Sequence, residues 1–241
     1  MTIANDAVLP SSTSSITINL EPIWHNMKAY GLPLFPIKAI IQLVNPHHLI
    51  IQLLKQDQPH QFRLLVPIEE TTFDQSDFKV DVVQAPGQSF GIRIHRKNTN
   101  EILFDTTYGP MTLTDQYVEM TTSVSSSHVY GFASDHRPSM QRSFNFEKIK
   151  LFSRKGGDGF HPFYMGLEPL AGHMHGVFWD NTYPLEVQFS PTSAVSFRYY
   201  TIYYHVIIIN YYMKCNMGIL WKSLTVTFSM VVDMVIDAIA F

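Results

Sequence analysis

From Ile16 onward the chain breaks into short segments of alternating polarity divided by turn residues. This punctuation constrains the fold more than any other feature. ITINL (16–20) alternates. PIKAIIQLV (36–44) and HLIIQLLK (48–55) flank Asn45-Pro46-His47, a turn-like break, and read as a hairpin. QFRLLVPI (61–68), KVDVVQA (79–85), SFGIRIHRK (89–97) and EILFDTT (101–107) follow. In SFGIRIHRK, Phe90, Ile92 and Ile94 share one face, and Arg93 and His95 the other. The pattern continues through QYVEMTTSV (116–124), HVYGFAS (128–134), FHPFYMGLE (160–168), GVFWDN (176–181) and LEVQFS (185–190). About a dozen such strands at a spacing of roughly 8–12 residues predict an all-β sandwich. No amphipathic helix is expected through residue 198, and no internal repeat is visible.

Composition agrees with a large core. Apolar residues make up 46% of the 241 and charged residues only 15%, against about 25% in ordinary domains. Phe and Tyr number 17 and 12, which favours sheet. The net charge is -3 with no run of Lys or Arg, so nucleic acid is not an expected partner. Cys215 is alone, which leaves no internal disulfide and no CxxC metal knuckle. The small, polar residues 1–15 read as disordered and lack the basic and apolar regions of a signal peptide.

The character changes after Thr201. From Tyr199 to the end only Lys214, Lys222, Asp233 and Asp237 are charged, and the turn residues are lost. The Tyr-rich stretch 199–213 is short for a membrane helix, and residues 224–241 carry two aspartates, so a membrane is not an expected partner. The expected layout is a disordered 1–15, a sandwich over 16–201 and an apolar tail over 202–241 that stands apart from the sandwich.

Candidate chemistry is sparse. His173-Met174-His175 and His47-His48 each offer two imidazoles, but no further ligand completes a zinc set, and they read as exposed turn histidines. Asp135, Asp158, Glu168 and Asp180 are carboxylates of the kind glycoside hydrolysis uses in pairs, though each reads singly as a solvated turn residue. No G-x-S-x-G elbow or Walker loop occurs, and no cofactor is expected. The stretch SRKGGDGFHPFYMGLE (153–168) joins a charged, glycine-rich loop to an apolar strand, a common way to present a binding group.

The order of the segments carries more. PGQSFGIRIHRKNTNEILFDTT (86–107), QYVEMTTSVSSSHVYGFASDH (116–136), FNFEKIKLFSR (144–154), FHPFYMGLE (160–168) and HGVFWDNTYPLEVQFSPTSAVSFR (175–198) resemble, in that order, the N-terminal β-sandwich of family 31 glycoside hydrolases. The likeness is greatest to the maltase-glucoamylase, sucrase-isomaltase and lysosomal α-glucosidase group. YGLPLFPIKAIIQLVNPHHLIIQLLKQDQPHQFRLLVP (30–67) is similar to the family's opening strands. The resemblance spans roughly residues 16–201. It implies a galactose-mutarotase-like sandwich packed on a catalytic (β/α)8 barrel that cleaves terminal α-glucosidic bonds with retention. The barrel's W-x-D-M-N-E nucleophile motif does not occur in the sequence, so the chain is read as truncated before the barrel, with no catalytic residue of its own.

The resemblance also implies a role for the glycine-rich loop. In the family, the segment after F-S/T-R carries an Asp and reaches over the active site to touch the sugar. Here Lys155 directly follows Phe152-Ser153-Arg154, and Asp158 lies three residues on. Arg154, Lys155 and Asp158 are therefore the candidate substrate-binding residues. The alternative is a free-standing carbohydrate-binding sandwich in which Trp179 or Tyr183 stacks on sugar rings. A third reading tethers the sandwich to a membrane through its tail. An apolar face formed by Phe163, Met165, Val177 and Trp179 is the expected contact surface for a barrel.

Overall fold

The structure, a computed structural model, describes residues 2–3, 13–21, 36–55, 71–83, 90–109, 111–114, 117–132, 139–151, 162–180, 184–199 and 204–211. In chain order the strands are β1 (Thr2–Ile3), β2 (Ser15–Glu21), β3 (Ile37–Asn45), β4 (His48–Lys55), β5 (Phe78–Val83), β6 (Gly91–Arg96), β7 (Ile102–Asp105), β8 (Thr112–Leu113), β9 (Val118–Ser123), β10 (Val129–Gly131), β11 (Lys148–Leu151), β12 (Phe163–Glu168), β13 (His173–Asp180), β14 (Leu185–Ser190), β15 (Ala194–Tyr199) and β16 (Tyr204–Tyr211). Single turns of 3-10 helix at Phe73–Gln75 and Thr106–Tyr108 are the only helical pieces among the described residues.

The strands form two antiparallel sheets. The first runs β1-β2-β3-β4-β16-β13-β12-β10. The second runs β11-β14-β15-β9-β7-β6-β5, with β8 paired to β9. Alternation decides which side chains meet between them: β2 is exposed and buried in turn along its whole length, and β14 alternates buried with half-buried. The first sheet sends Ile18, Leu43, Ile51, Val177 and Trp179 into the core, and the second sends Ile94, Phe104, Val187 and Phe197. This is the all-β sandwich that the spacing of short strands predicts. The β3–β4 hairpin is set by its turn residue: Asn45 Oδ1 accepts from the His47 N–H at 2.9 Å, an Asx turn.

Aromatic rings fill the middle of the core. Trp179 lies against Phe197 of the facing sheet at 4.0 Å between centroids. Tyr164 stacks parallel to Phe197 at 6.3 Å, and Phe132 lies 5.4 Å from Tyr164. Room for this cluster depends on Gly131, which has a φ of +125°. A Cβ there would collide with the Phe163 carbonyl and approach Tyr164 Cα to 2.8 Å, so only glycine fits.

Five strands have no counterpart in the strand pattern read from sequence: β1, which pairs with β2 inside the stretch 1–15 expected to be disordered, and β8, β11, β15 and β16. The last alters the expected layout, in which an apolar tail stands apart from residue 202 onward. Tyr204–Tyr211 instead runs inside the first sheet, with Ile208 paired to Val177 on one side and Leu49 on the other. A continuous apolar run carries no period-2 alternation to mark it as a one-sided strand. VIII (206–209) is such a run, and it blends into the apolar tail that follows. QFRLLVPI (61–68) lies outside the described residues, as do residues 212–241.

Candidate functional site

Arg154, Lys155 and Asp158 lie outside the described residues, as do Asp135 and Tyr183. Both flanks of their loop are fixed. On one side β11 ends at Leu151, fully buried and paired with Leu185. On the other, the Pro162 carbonyl accepts from the Trp179 N–H at 2.9 Å, just before β12. The described chain thus leaves an edge strand of the second sheet at Leu151 and resumes at Pro162, before an inner strand of the first.

Among the described residues, ionic chemistry concentrates between the sheets. Arg96, at the end of β6, keeps the parity of Phe90, Ile92 and Ile94 and so points inward. Its Nε donates to Glu168 Oε2 at 2.8 Å, and its Nη2 donates to Glu168 Oε1. Glu168 ends β12 in the facing sheet, and His175 of β13 places Nδ1 3.4 Å from the same Oε1. All three residues are buried, Arg96 to 2% exposure and the other two to 0%. The imidazole fits because position 166, its cross-strand partner, is glycine: a Cβ there would sit 2.8 Å from His175 Cε1. Glu101 adds a second carboxylate nearby, accepting from the Leu170 N–H at 3.3 Å. Burial raises the Glu101 pKa, and the Glu168 charge adds to the rise.

Burial pushes the Glu168 carboxyl up, but the His175 imidazole beside it and the bonds and charge of Arg96 outweigh it and hold the carboxyl at about 2. The unfolded carboxyl titrates near 4.5. A depressed folded value stabilises the fold above the unfolded value, and that stability is lost as pH falls. Unfolding free energy should therefore fall between about pH 4.5 and pH 2, with a slope of up to about 1.4 kcal/mol per pH unit from this group. Urea titrations across that range should show a steeper decline for the native chain than for Glu168→Gln. Equal slopes would show that the carboxylate is not held by its partners.

A carboxylate sealed between sheets and bound by an arginine cannot act on an external bond. Glu168 is thus a structural ion, not the solvated turn residue expected from sequence. His175 is likewise a core residue of β13, not an exposed turn histidine, and His173 stands half-buried on the same strand. His47 does lie in an exposed turn, with its Nδ1 2.6 Å from Asp77 Oδ2. Trp179, offered as a sugar-stacking residue, is 1% exposed and packed in the core. The supposed contact face also divides: Val177 and Trp179 join the core, while Phe163 and Met165 lie outside it on the opposite face.

The outward face of the second sheet is polar. Arg198 Nε donates to Glu119 Oε1 at 2.6 Å and its Nη1 to Glu186 Oε1 at 3.1 Å. Lys148 pairs with Glu186 at 3.0 Å, and Tyr117 donates to Glu119 at 3.0 Å. These half-exposed pairs satisfy one another and add little stability.

No protein-family model matches the chain. Human intestinal sucrase-isomaltase is 28% identical over 201 residues, 78% of this chain and 11% of the relative. Bovine lysosomal alpha-glucosidase is 34% identical over 148 residues, 58% of this chain and 16% of the relative. The chain thus spans a small part of the relatives it matches. A family 31 α-xylosidase from a soil metagenome, solved with xylose, shares the fold over 87% of this chain and 33% of its own, with a TM-score of 0.53 at 13% identity. A family 31 dextranase from Flavobacterium johnsoniae, solved with isomaltotriose, covers 88% of this chain and 27% of its own, with a TM-score of 0.51 at 16% identity.

Proposed function

We propose, for a chain that is an N-terminal β-sandwich domain of the family 31 glycoside hydrolases, that it supports a catalytic barrel and trims the barrel's pocket for a terminal α-glucoside. The likeness to α-glucosidases carries this reading: it runs over 78% of this chain yet only 11% of sucrase-isomaltase. The described residues fit a supporting role. Their one carboxylate–arginine–histidine constellation is closed to substrate, and the principal aromatics form a core.

In this reading, residues 152–161 reach toward the sugar. The anchors at Leu151 and Pro162 limit where the loop can go, and Arg154, Lys155 and Asp158 supply charge and hydrogen bonds for hydroxyl groups. The test joins this chain to the catalytic barrel of bovine lysosomal alpha-glucosidase, in place of that enzyme's own sandwich. The fusion should hydrolyse an aryl α-glucoside. Asp158→Ala should raise KM by roughly fivefold, the equivalent of one hydrogen bond of about 1 kcal/mol, without changing Tm. An active fusion whose KM ignores substitutions at Arg154, Lys155 and Asp158 would show that the loop does not touch the sugar.

A further inference from the structure

The ionic cluster between the sheets holds an odd count of charges. Arg96 of β6 brings one positive charge, and Glu168 of β12 one negative charge. Glu101, just before β7, brings a second negative charge and is itself buried. It stands close enough to feel both partners. Burial pushes its carboxyl up, the Leu170 N–H pulls it back, and the charges of Glu168 and Arg96 act in opposite senses; the net direction is up. The surroundings offer no further cation among the described residues: the Arg96 guanidinium faces the Phe78 ring, 6.0 Å from its centre. Without an added proton the cluster carries one negative charge in excess. A buried charge left without a partner is strongly destabilising.

We propose that His175 supplies the missing positive charge, so that the sandwich closes around a proton held on this imidazole. The ring keeps the inward parity of Val177 and Trp179, is 0% exposed, and places Nδ1 3.4 Å from Glu168 Oε1. Gly166 opposite gives it room against the backbone of β12, the strand that carries the carboxylate. Neither ring nitrogen has a hydrogen-bond partner among the described residues. A neutral ring here is a buried polar group with nothing to offset its desolvation. Burial costs a charged ring more, but the charged ring is drawn to Glu168 through an interior where attraction is far stronger than in water. It also cancels the excess charge of the cluster. The titratable and charged groups that face the ring among the described residues are Glu168, Arg96 and Glu101, with His173 two residues away on β13. His173 is the register partner of Glu168 and is half-buried. The deeper burial and the contact to Glu168 select His175.

An unfolded imidazole keeps its proton only below about pH 6.5. The folded chain keeps it higher, so it binds more protons than the unfolded chain above that value. The stability from this contact is complete below about pH 6.5 and is lost as pH rises, by up to about tenfold in the folding equilibrium constant per pH unit. Glu168 removes stability below its unfolded value of 4.5, so the cluster serves the fold best in mildly acidic water. The test uses the full chain labelled with nitrogen-15. At a pH about one unit above the unfolded imidazole value, both ring nitrogens of His175 should give the signals of an imidazolium, absent from His175→Gln. Urea titrations over the same range should show the native chain losing stability, with smaller losses in His175→Gln and in Glu101→Gln, where the excess charge is gone. Should His175→Gln not fold, the ring is assigned through its backbone amide and the native spectrum decides. One protonated and one bare ring nitrogen on His175 at that pH would overturn the proposal. So would a pH slope that Glu101→Gln leaves unchanged.

Discussion

Arg96→Met is expected to lower the unfolding free energy by about 3–5 kcal/mol, because it strands a buried carboxylate. Arg96 bridges the sheets through two bonds to Glu168, and its backbone N–H donates to the Glu101 carbonyl at 2.8 Å. Removing the guanidinium leaves Glu168 with His175 as its remaining ionic contact, next to Glu101 and away from water. The carboxyl must then take up a proton or draw water into the core. Replacing both partners removes that problem. Arg96→Met with Glu168→Leu should recover most of the loss, since apolar residues of similar volume often replace a buried ion pair at little cost. Denaturant unfolding of both single variants and the double variant gives the coupling directly. A single-variant loss under about 1 kcal/mol would mean that the pair is open to solvent and does not join the sheets.

Trp179→Ala should cost about 3–5 kcal/mol, the usual range for removing a large buried aromatic. Trp179 is among the largest fully buried side chains. It touches Phe197 at 4.0 Å and Tyr199 at 6.2 Å, both from the facing sheet. Deleting the indole therefore opens a cavity at the centre of the sandwich, not at its rim. Its Nε1 has no hydrogen-bond partner among the described residues, so the polar end of the ring adds nothing. Trp179→Phe should accordingly cost far less than Trp179→Ala, because it keeps most of the apolar contact and removes a buried donor. Thermal melts of both variants test this. Similar small losses in the two would place Trp179 at a wet surface and restore it as a sugar-stacking candidate.

Much of the fold was legible because one-sided strands announce themselves. Phe90, Ile92 and Ile94 share a face in the sequence and lie together in the core. The hairpin around Asn45 reads directly from its turn residues. Two features were harder to see. Strand β16 lacks polar alternation, so its apolar run reads as part of the tail that follows. The ionic cluster joins residues 72 positions apart in sequence, Arg96 and Glu168. Each has a local signal: Arg96 continues the inward parity of Ile92 and Ile94, and Glu168 that of Tyr164. A charge at an inward position implies a buried partner, but strand parity alone does not say which strand of the facing sheet supplies it. The candidate residues Arg154, Lys155 and Asp158 rest on family resemblance alone and lie outside the described residues, since a charged glycine-rich loop has no period from which to read a role.

The claim that the sandwich supports α-glucoside hydrolysis without performing it is tested most directly by assaying the purified full chain with maltose and an aryl α-glucoside. The account predicts no turnover above the buffer background. Turnover abolished by replacing Asp135, Asp158 or Asp180 would place a catalytic carboxylate within this chain and contradict it.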